Sequence, residues 1–449
     1  MIASASDSTW LQSRPQLAAV LLCLWLLVLM TFSAPGREGP TSAGGLDLIA
    51  LAKLAARLLA LAVLGFVLAQ SSAGPRRAVV LGAMAPLGLF LGWAIFSTLW
   101  SPLRAVSLGQ ASGLMAQLML AAALGLLCTQ PRSWSVVIQH LCCALLTVSL
   151  LVLCVHAINP SISGLDRTFT SDGAGGIVHP TSAGATGSLG LLLLVAARLI
   201  WQWRWAGQLL WIGIPVHGLL LLLAASRTAL GMTLVALVLL VGWYGYRVAL
   251  AATILAGCTL GACYLALDAD LSMARQTLGE TTEYASRGES VESLSSFTGR
   301  TELWEAIWDE FRKSMLVGHG YFVTSETGLL NVWTEPVNRP AHNVLLQVLV
   351  STGLIGAALF IWGLLRPLRK IADACRARAE CRPMGGLLVI FGLWYFGWGQ
   401  LCESFMGPVA PESVVFYSLF GLGLGLLSTA AKPEPTVIYA RLPRVEFSR

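Results

Sequence analysis

Long apolar runs, broken by short polar or glycine- and proline-bearing segments, dominate this chain. A membrane-spanning helix needs about 20 mostly apolar residues. On that measure the pattern predicts twelve spans, near 16–34, 46–70, 78–99, 105–128, 134–158, 183–203, 207–225, 228–246, 248–267, 342–365, 385–402 and 411–430. The run 207–246 would be roughly 60 Å long as a single helix, twice the hydrocarbon thickness. It must fold back, and Ser226-Arg227-Thr228 is the polar break at its midpoint. No small-residue cleavage site clearly follows the first apolar run, which therefore reads as a retained span.

Composition agrees with the pattern. Of 449 residues, 56% are hydrophobic and only 12% charged, and the mean hydropathy is +0.72. A soluble domain carries about 25% charged residues, so too little polar surface remains to coat a water-soluble particle. The net charge of +6 follows the topology. With both termini inside, 17 of the 29 basic residues fall on the inner segments, and the short outer loops hold Arg37, Arg104, Arg167 and Arg227. That placement explains the basic balance without nucleic acid. Lys53 and Arg57, one turn apart in the second span, either snorkel to the outer surface or line a polar cavity. The ten cysteines lie mostly in apolar runs, with no C-x-x-C pair, so neither disulfides nor structural zinc are expected. The fold expected is an all-α polytopic membrane protein of about twelve transmembrane helices, both termini cytoplasmic. Its parts are spans one to nine (1–267), a long outer loop with amphipathic helices (268–341), spans ten to twelve (342–430) and a cytoplasmic tail (431–449).

The outer side collects the candidate chemistry. Thr298 can cap a helix on which Trp304, Ile307, Trp308 and Phe311 fall at i, i+3, i+4, i+7, an apolar stripe that lies on the membrane surface or roofs a cavity. Arg300 sits in its first turn, either as a solvated or ion-paired loop residue or as an anion ligand aided by the free N–H groups there. His342, expected in the first turn of the tenth span, reads as an interfacial anchor or as a general base, since a helix N-terminus disfavours imidazolium. Arg227 at the hairpin apex either snorkels to headgroup phosphates or binds a phosphate of the substrate. Asn343, Tyr321, His319, His179, Glu403 and Arg104 are secondary candidates on the same side. Asp268-Ala269-Asp270 has the spacing of some metal-binding pairs, but such pairs are common at helix ends, and no metal site is expected. His140, His156 and His217, each alone within a span, read as structural. No P-loop, G-x-S-x-G or H-E-x-x-H motif occurs.

Taken together, three groups of residues resemble one family. They are Ser226-Arg227-Thr228; Thr298-Gly299-Arg300-Thr301 with Trp304 and Gly318-His319-Gly320-Tyr321; and Ala341-His342-Asn343 with Leu346 and Thr352-Gly353-Leu354-Ile355-Gly356. With Leu99-Trp100-Ser101-Pro102 and Glu403-Ser404, the set resembles the O-antigen ligase and O-antigen polymerase superfamily of bacterial envelope glycosyltransferases. The run Ser293 to Arg300 leans toward the exopolysaccharide polymerase branch.

The resemblance implies an enzyme of the bacterial inner membrane that takes a glycan from an undecaprenyl-diphosphate carrier at the periplasmic face. The acceptor would be a glycan hydroxyl, a lipid A-core or, in some branches, a protein hydroxyl, without any cofactor, and the polymerase branch brings in a chain-length regulator as partner. It also implies His342 as the base acting on the acceptor hydroxyl and Arg227 with Arg300 as the diphosphate ligands. The rival expectation is a transporter or flippase, against which stand the lack of an internal repeat and the one-sided placement of the polar candidates.

Overall fold

The computed structural model describes residues 11, 13–33, 48–71, 74–165, 176–244, 300–323, 341–402 and 408–429. Among these residues the chain is helical, without strands. The helices longer than one turn are α1 (Pro15–Leu29), α2 (Leu48–Gln70), α3 (Pro75–Phe96), α4 (Arg104–Leu127), α5 (Pro131–Ile158), α6 (Pro180–Ile200), α7 (Arg204–Leu223), α8 (Arg227–Trp243), α9 (Arg300–Lys313), α10 (Val344–Ala377), α11 (Arg382–Gly399) and α12 (Pro411–Thr429). Eight are long and apolar enough to cross a membrane, and α1 and α8 are apolar but shorter. The expected span 248–267, the Asp268–Asp270 pair, Thr298, Glu403 and the tail 431–449 lie outside the described residues.

Sequence explains most of the helix limits. Proline opens α1, α3, α5, α6 and α12, where its missing N–H costs nothing. The long run 207–246 does fold back. Ala225 takes a left-handed conformation (φ 46°), and the Ser226 Oγ accepts from the Ala229 N–H to start α8. Helices α4, α6 and α12 are the most deeply buried, and α2 the least. On α12, Gly421 and Gly425 press against the backbone of Ala121 and Cys128, so small residues let these two helices meet closely. Outward faces carry Leu22, Phe66, Trp211 and Phe396, an exposed apolar surface fit for lipid.

Helix α10 is broken at Gly353 (φ 66°, ψ −170°). The break releases backbone groups, and the segment after α9 takes them up. The N–H groups of His319 and Gly320 donate to the carbonyls of Val350 and Ser351, each at 2.9 Å. Leu354 N–H donates to Met315 at 2.8 Å and Ile355 N–H to Leu316 at 3.3 Å. The Thr352 carbonyl accepts from the Trp93 indole at 3.0 Å. A Cβ at Gly353 would stand 2.2 Å from the Leu316 carbonyl oxygen.

The tenth span was expected to begin at 342. It begins at Val344, because the Asn343 side chain accepts from the N–H groups of Leu345 (3.0 Å) and Leu346 (3.1 Å) and so acts as the N-cap. His342 therefore lies just before the helix, not in its first turn. The stripe expected on α9 is also rotated. Leu303, Ile307 and Phe311 are buried against Ala341 and Val350, while Trp308 is 40% exposed. The i, i+4, i+8 line is the one that meets α10, and it places Trp304 at its edge.

Gly353→Ala should cost at least the 1–3 kcal/mol or so of a strained backbone and lower the thermal midpoint of the purified protein. Gly392→Ala, where an added methyl meets nothing within 4 Å, should leave it unchanged. Equal midpoints for the two variants would show that the break is not a built feature.

Candidate functional site

The helix ends that carry the sequence candidates gather at one end of the bundle. Arg76, Arg132, Arg198, Arg204 and Arg378 sit on the opposite helix ends. At the candidate end a cavity of about 250 Å³ opens between the end of α1, the start of α2, the entries to α6, α10 and α12, and the end of α11. Its polar lining comes from Lys53, His179, Thr181, Ser182, His342 and Glu412. Trp398, Leu401 and Val409 supply apolar wall.

His342 is set by its neighbours. The Ala341 N–H donates to Gln347 Oε1 at 2.7 Å, and the Ala341 carbonyl accepts from the Trp304 indole at 3.0 Å. On the other side Asn343 caps α10 and donates from Nδ2 to the Gln400 carbonyl at 3.2 Å. Pinned on both flanks, the half-buried His342 takes φ +50°. A non-glycine residue in the left-handed region is uncommon and costs backbone energy, so surrounding contacts must hold it.

The rest of the cavity is also anchored. Glu412 is buried, its Oε2 accepts from the Ser182 hydroxyl at 2.9 Å, and its backbone carbonyl accepts from the Tyr395 hydroxyl. Lys53 donates to the Ser33 hydroxyl at 3.3 Å. His179 is the N-cap of α6, with Nδ1 accepting from the Thr181 N–H at 3.3 Å. Imidazoles, an ammonium and a carboxylate thus share one small volume, an arrangement able to hold a polar substrate and move a proton. Among the described residues no group of three or more His, Cys, Asp or Glu side chains is placed to hold a metal ion.

The remaining candidates separate. Arg227 opens α8 beside the first turns of α6, where a Cβ at Gly184 would stand 2.7 Å from the Ser226 Cβ. It lies at the cavity's end of the bundle but not in the cavity lining. Arg300 is the first residue of α9, and only its backbone is described. Arg104 lines a different groove with Thr98, Leu99 and Leu108.

His319 and Tyr321 turn inward. The His319 Nε2 lies 2.9 Å from the Glu310 carbonyl and 3.6 Å from Glu310 Oε1. Tyr321 is fully buried, its ring edge-on to Phe90 at 6.1 Å and its N–H donated to Ser97 Oγ. Both belong to the packing around the α10 break. The lone histidines also have structural partners: His140 accepts from the Trp25 indole, and His156 and His217 pair with Ser163 and Ser149.

Sequence reasoning missed Glu412 and Ser182. An acid directly after Pro411, at the head of an otherwise apolar helix, is the signal that could have found Glu412. Lys53, left between two readings, lines the cavity.

Removing the cap at Asn343 should cost about 0.5–2 kcal/mol. Asn343→Ala should therefore melt earlier than Asn343→Asp, which keeps the cap and loses only the bond to Gln400. Thermal unfolding in detergent checks the order, and the reverse order would deny Asn343 its capping role.

No curated protein matches the chain. Residues 216–361 match the family model described as O-antigen ligase. The matched stretch takes in the hairpin apex with Arg227, all of α9, His342 and the break in α10. Over those residues, about a third of its length, the protein is similar to the O-antigen ligase family.

Proposed function

We propose that the protein is a periplasmic-face glycosyltransferase of the bacterial inner membrane. In this reading it crosses the membrane twelve times with both termini cytoplasmic. It moves a glycan from an undecaprenyl-diphosphate carrier to a hydroxyl of a glycan or lipid A-core, and the polymerase branch is favoured over the ligase branch. The observation that carries the reading is that the O-antigen ligase match contains His342, a strained residue lining a polar cavity at the end of the bundle where Arg227 also sits.

The reaction needs three things: a deprotonated acceptor oxygen, a neutralised leaving group and room for in-line attack. His342 takes the proton from the acceptor hydroxyl as its oxygen attacks the anomeric carbon. The bond from that carbon to the diphosphate oxygen breaks, and the configuration inverts. Arg227 and Arg300 hold the departing diphosphate through charge-assisted hydrogen bonds, so no metal is required. Arginine suits this better than lysine because its planar fork matches phosphate oxygens two at a time.

The test is transfer from a synthetic undecaprenyl-diphosphate oligosaccharide by purified protein, with and without a chelator. Wild type should work in both conditions, and His342→Ala should fall about 10²–10⁴-fold, the usual worth of a general base. Arg227→Ala should fall further than Arg227→Lys. A ladder of products would mean polymerase, and a single product ligase. Undiminished transfer by His342→Ala would remove the base, and movement of the carrier lipid across proteoliposomes without transfer would make the protein a flippase.

A further inference from the structure

Helix α9 has two faces with different histories. Leu303, Ile307 and Phe311 are spent on packing against Ala341 and Val350. The other face keeps an exposed indole, Trp308, among the exposed charged side chains of Glu305, Asp309 and Arg312. Together with Trp304 and Leu346 these residues line an open groove of about 540 Å³, larger than the His342 cavity.

The indoles are held in place. Trp308 rests on the buried Phe311 ring at 5.2 Å, and Trp304 is fixed by its bond to the Ala341 carbonyl, one residue before His342. Arg312 and Asp309 pair at 3.1 Å along the rim.

A helix that lies in a bilayer interface presents an apolar face to lipid and keeps its charges on the opposite side. Here the charges surround the exposed indole, and the apolar face is already covered. A saccharide fits this surface better than lipid does. A pyranose ring offers one face of C–H bonds and a rim of hydroxyls. Indole π-faces accept the C–H face, and carboxylate and guanidinium groups bond the hydroxyls. Residues four apart on a helix have Cβ atoms about 5–6 Å apart, so Trp304 and Trp308 are spaced for one sugar or two successive ones. The rim mixes two carboxylates with one guanidinium, which suits a neutral sugar better than a strongly charged one.

We propose that the groove of Trp304, Glu305, Trp308, Asp309, Arg312 and Leu346 is an oligosaccharide-binding subsite that leads a glycan chain to His342. The proposal rests on the transferase reading for its purpose, but binding can be measured without transfer.

The experiment uses the full chain in lipid nanodiscs. The probes are reducing-end-labelled fragments of one to four repeating units, cut from the host's own surface polysaccharide. Affinity by thermophoresis should rise with fragment length in wild type. Trp308→Ala should lose about ten-fold or more, as removal of an aromatic anchor does, and Trp308→Phe should lose far less. Gly392→Ala, which lines neither the groove nor the cavity, should bind as wild type does.

In the transfer assay, Trp308→Ala should raise KM for the free fragment while kcat is retained. A raised KM for the lipid-linked substrate alone would instead assign the groove to the donor's glycan. Equal affinity in Trp308→Ala and wild type would overturn the subsite. So would quenching of Trp308 by brominated lipid with no effect of saccharide, which would make it a membrane anchor. Binding as expected with no transfer from any carrier would overturn the transferase reading and leave the subsite standing.

Discussion

The interruption of α10 at Gly353 is the constraint on which this end of the molecule depends. Breaking a helix inside an apolar bundle strands carbonyls and N–H groups, and each one left bare there would cost several kcal/mol. Three carbonyls and two N–H groups around the break find partners in the 315–320 segment and in Trp93. The loop and the broken helix are therefore one unit. Neither can form its backbone hydrogen bonds without the other.

That unit passes its geometry to the candidate site through a short series of contacts. The 315–320 segment follows α9 directly, and α9 seats Leu303, Ile307 and Phe311 on the first half of α10. The seating puts the Trp304 indole on the Ala341 carbonyl while Gln347 holds the Ala341 N–H. With Asn343 committed to capping, His342 has no freedom to relax from its left-handed backbone. The strained residue is thus supported by a buried framework, as expected where geometry matters more than stability. The residues that resemble the O-antigen ligase family accordingly divide in two. Gly318-His319-Gly320-Tyr321, Trp100 and Thr352-Gly353 build the framework, whereas His342 faces a cavity.

Much of this was readable along the chain, and the failures have physical causes. Among the described residues, hydrophobic runs located the helices within about five residues, because a bilayer leaves a long apolar stretch no other regular structure. The exception is the end of α10, which continues to Ala377, twelve residues past the expected 365. There the apolar pattern stops at the charged stretch from Arg366 to Arg376 while the helix does not. The fold-back at Ser226 followed from length alone. The start of α10 was misjudged because apolar content does not reveal a cap, and Asn343 shifted the first turn past His342. The face of α9 was misjudged for a related reason: three aromatic residues dominate the stripe, but the helix buries the line that matches the surface of α10 and leaves Trp308 out. His319 and Tyr321 looked like chemistry because they sit in a polar, glycine-rich motif, yet they serve the packing of that motif.

By itself the sequence determined which of the described segments are helices and where the charged residues fall along them, since these depend on local composition and the helical period. Tertiary structure alone decided that Lys53, His179, His342 and Glu412 share one cavity. They lie at or beside the starts of four helices far apart in the chain, and only the relative rotation and depth of packed helices can bring them together. It also decided that α10 breaks at Gly353. A glycine permits that backbone, but only the carbonyls and N–H groups of a neighbouring segment make it stable.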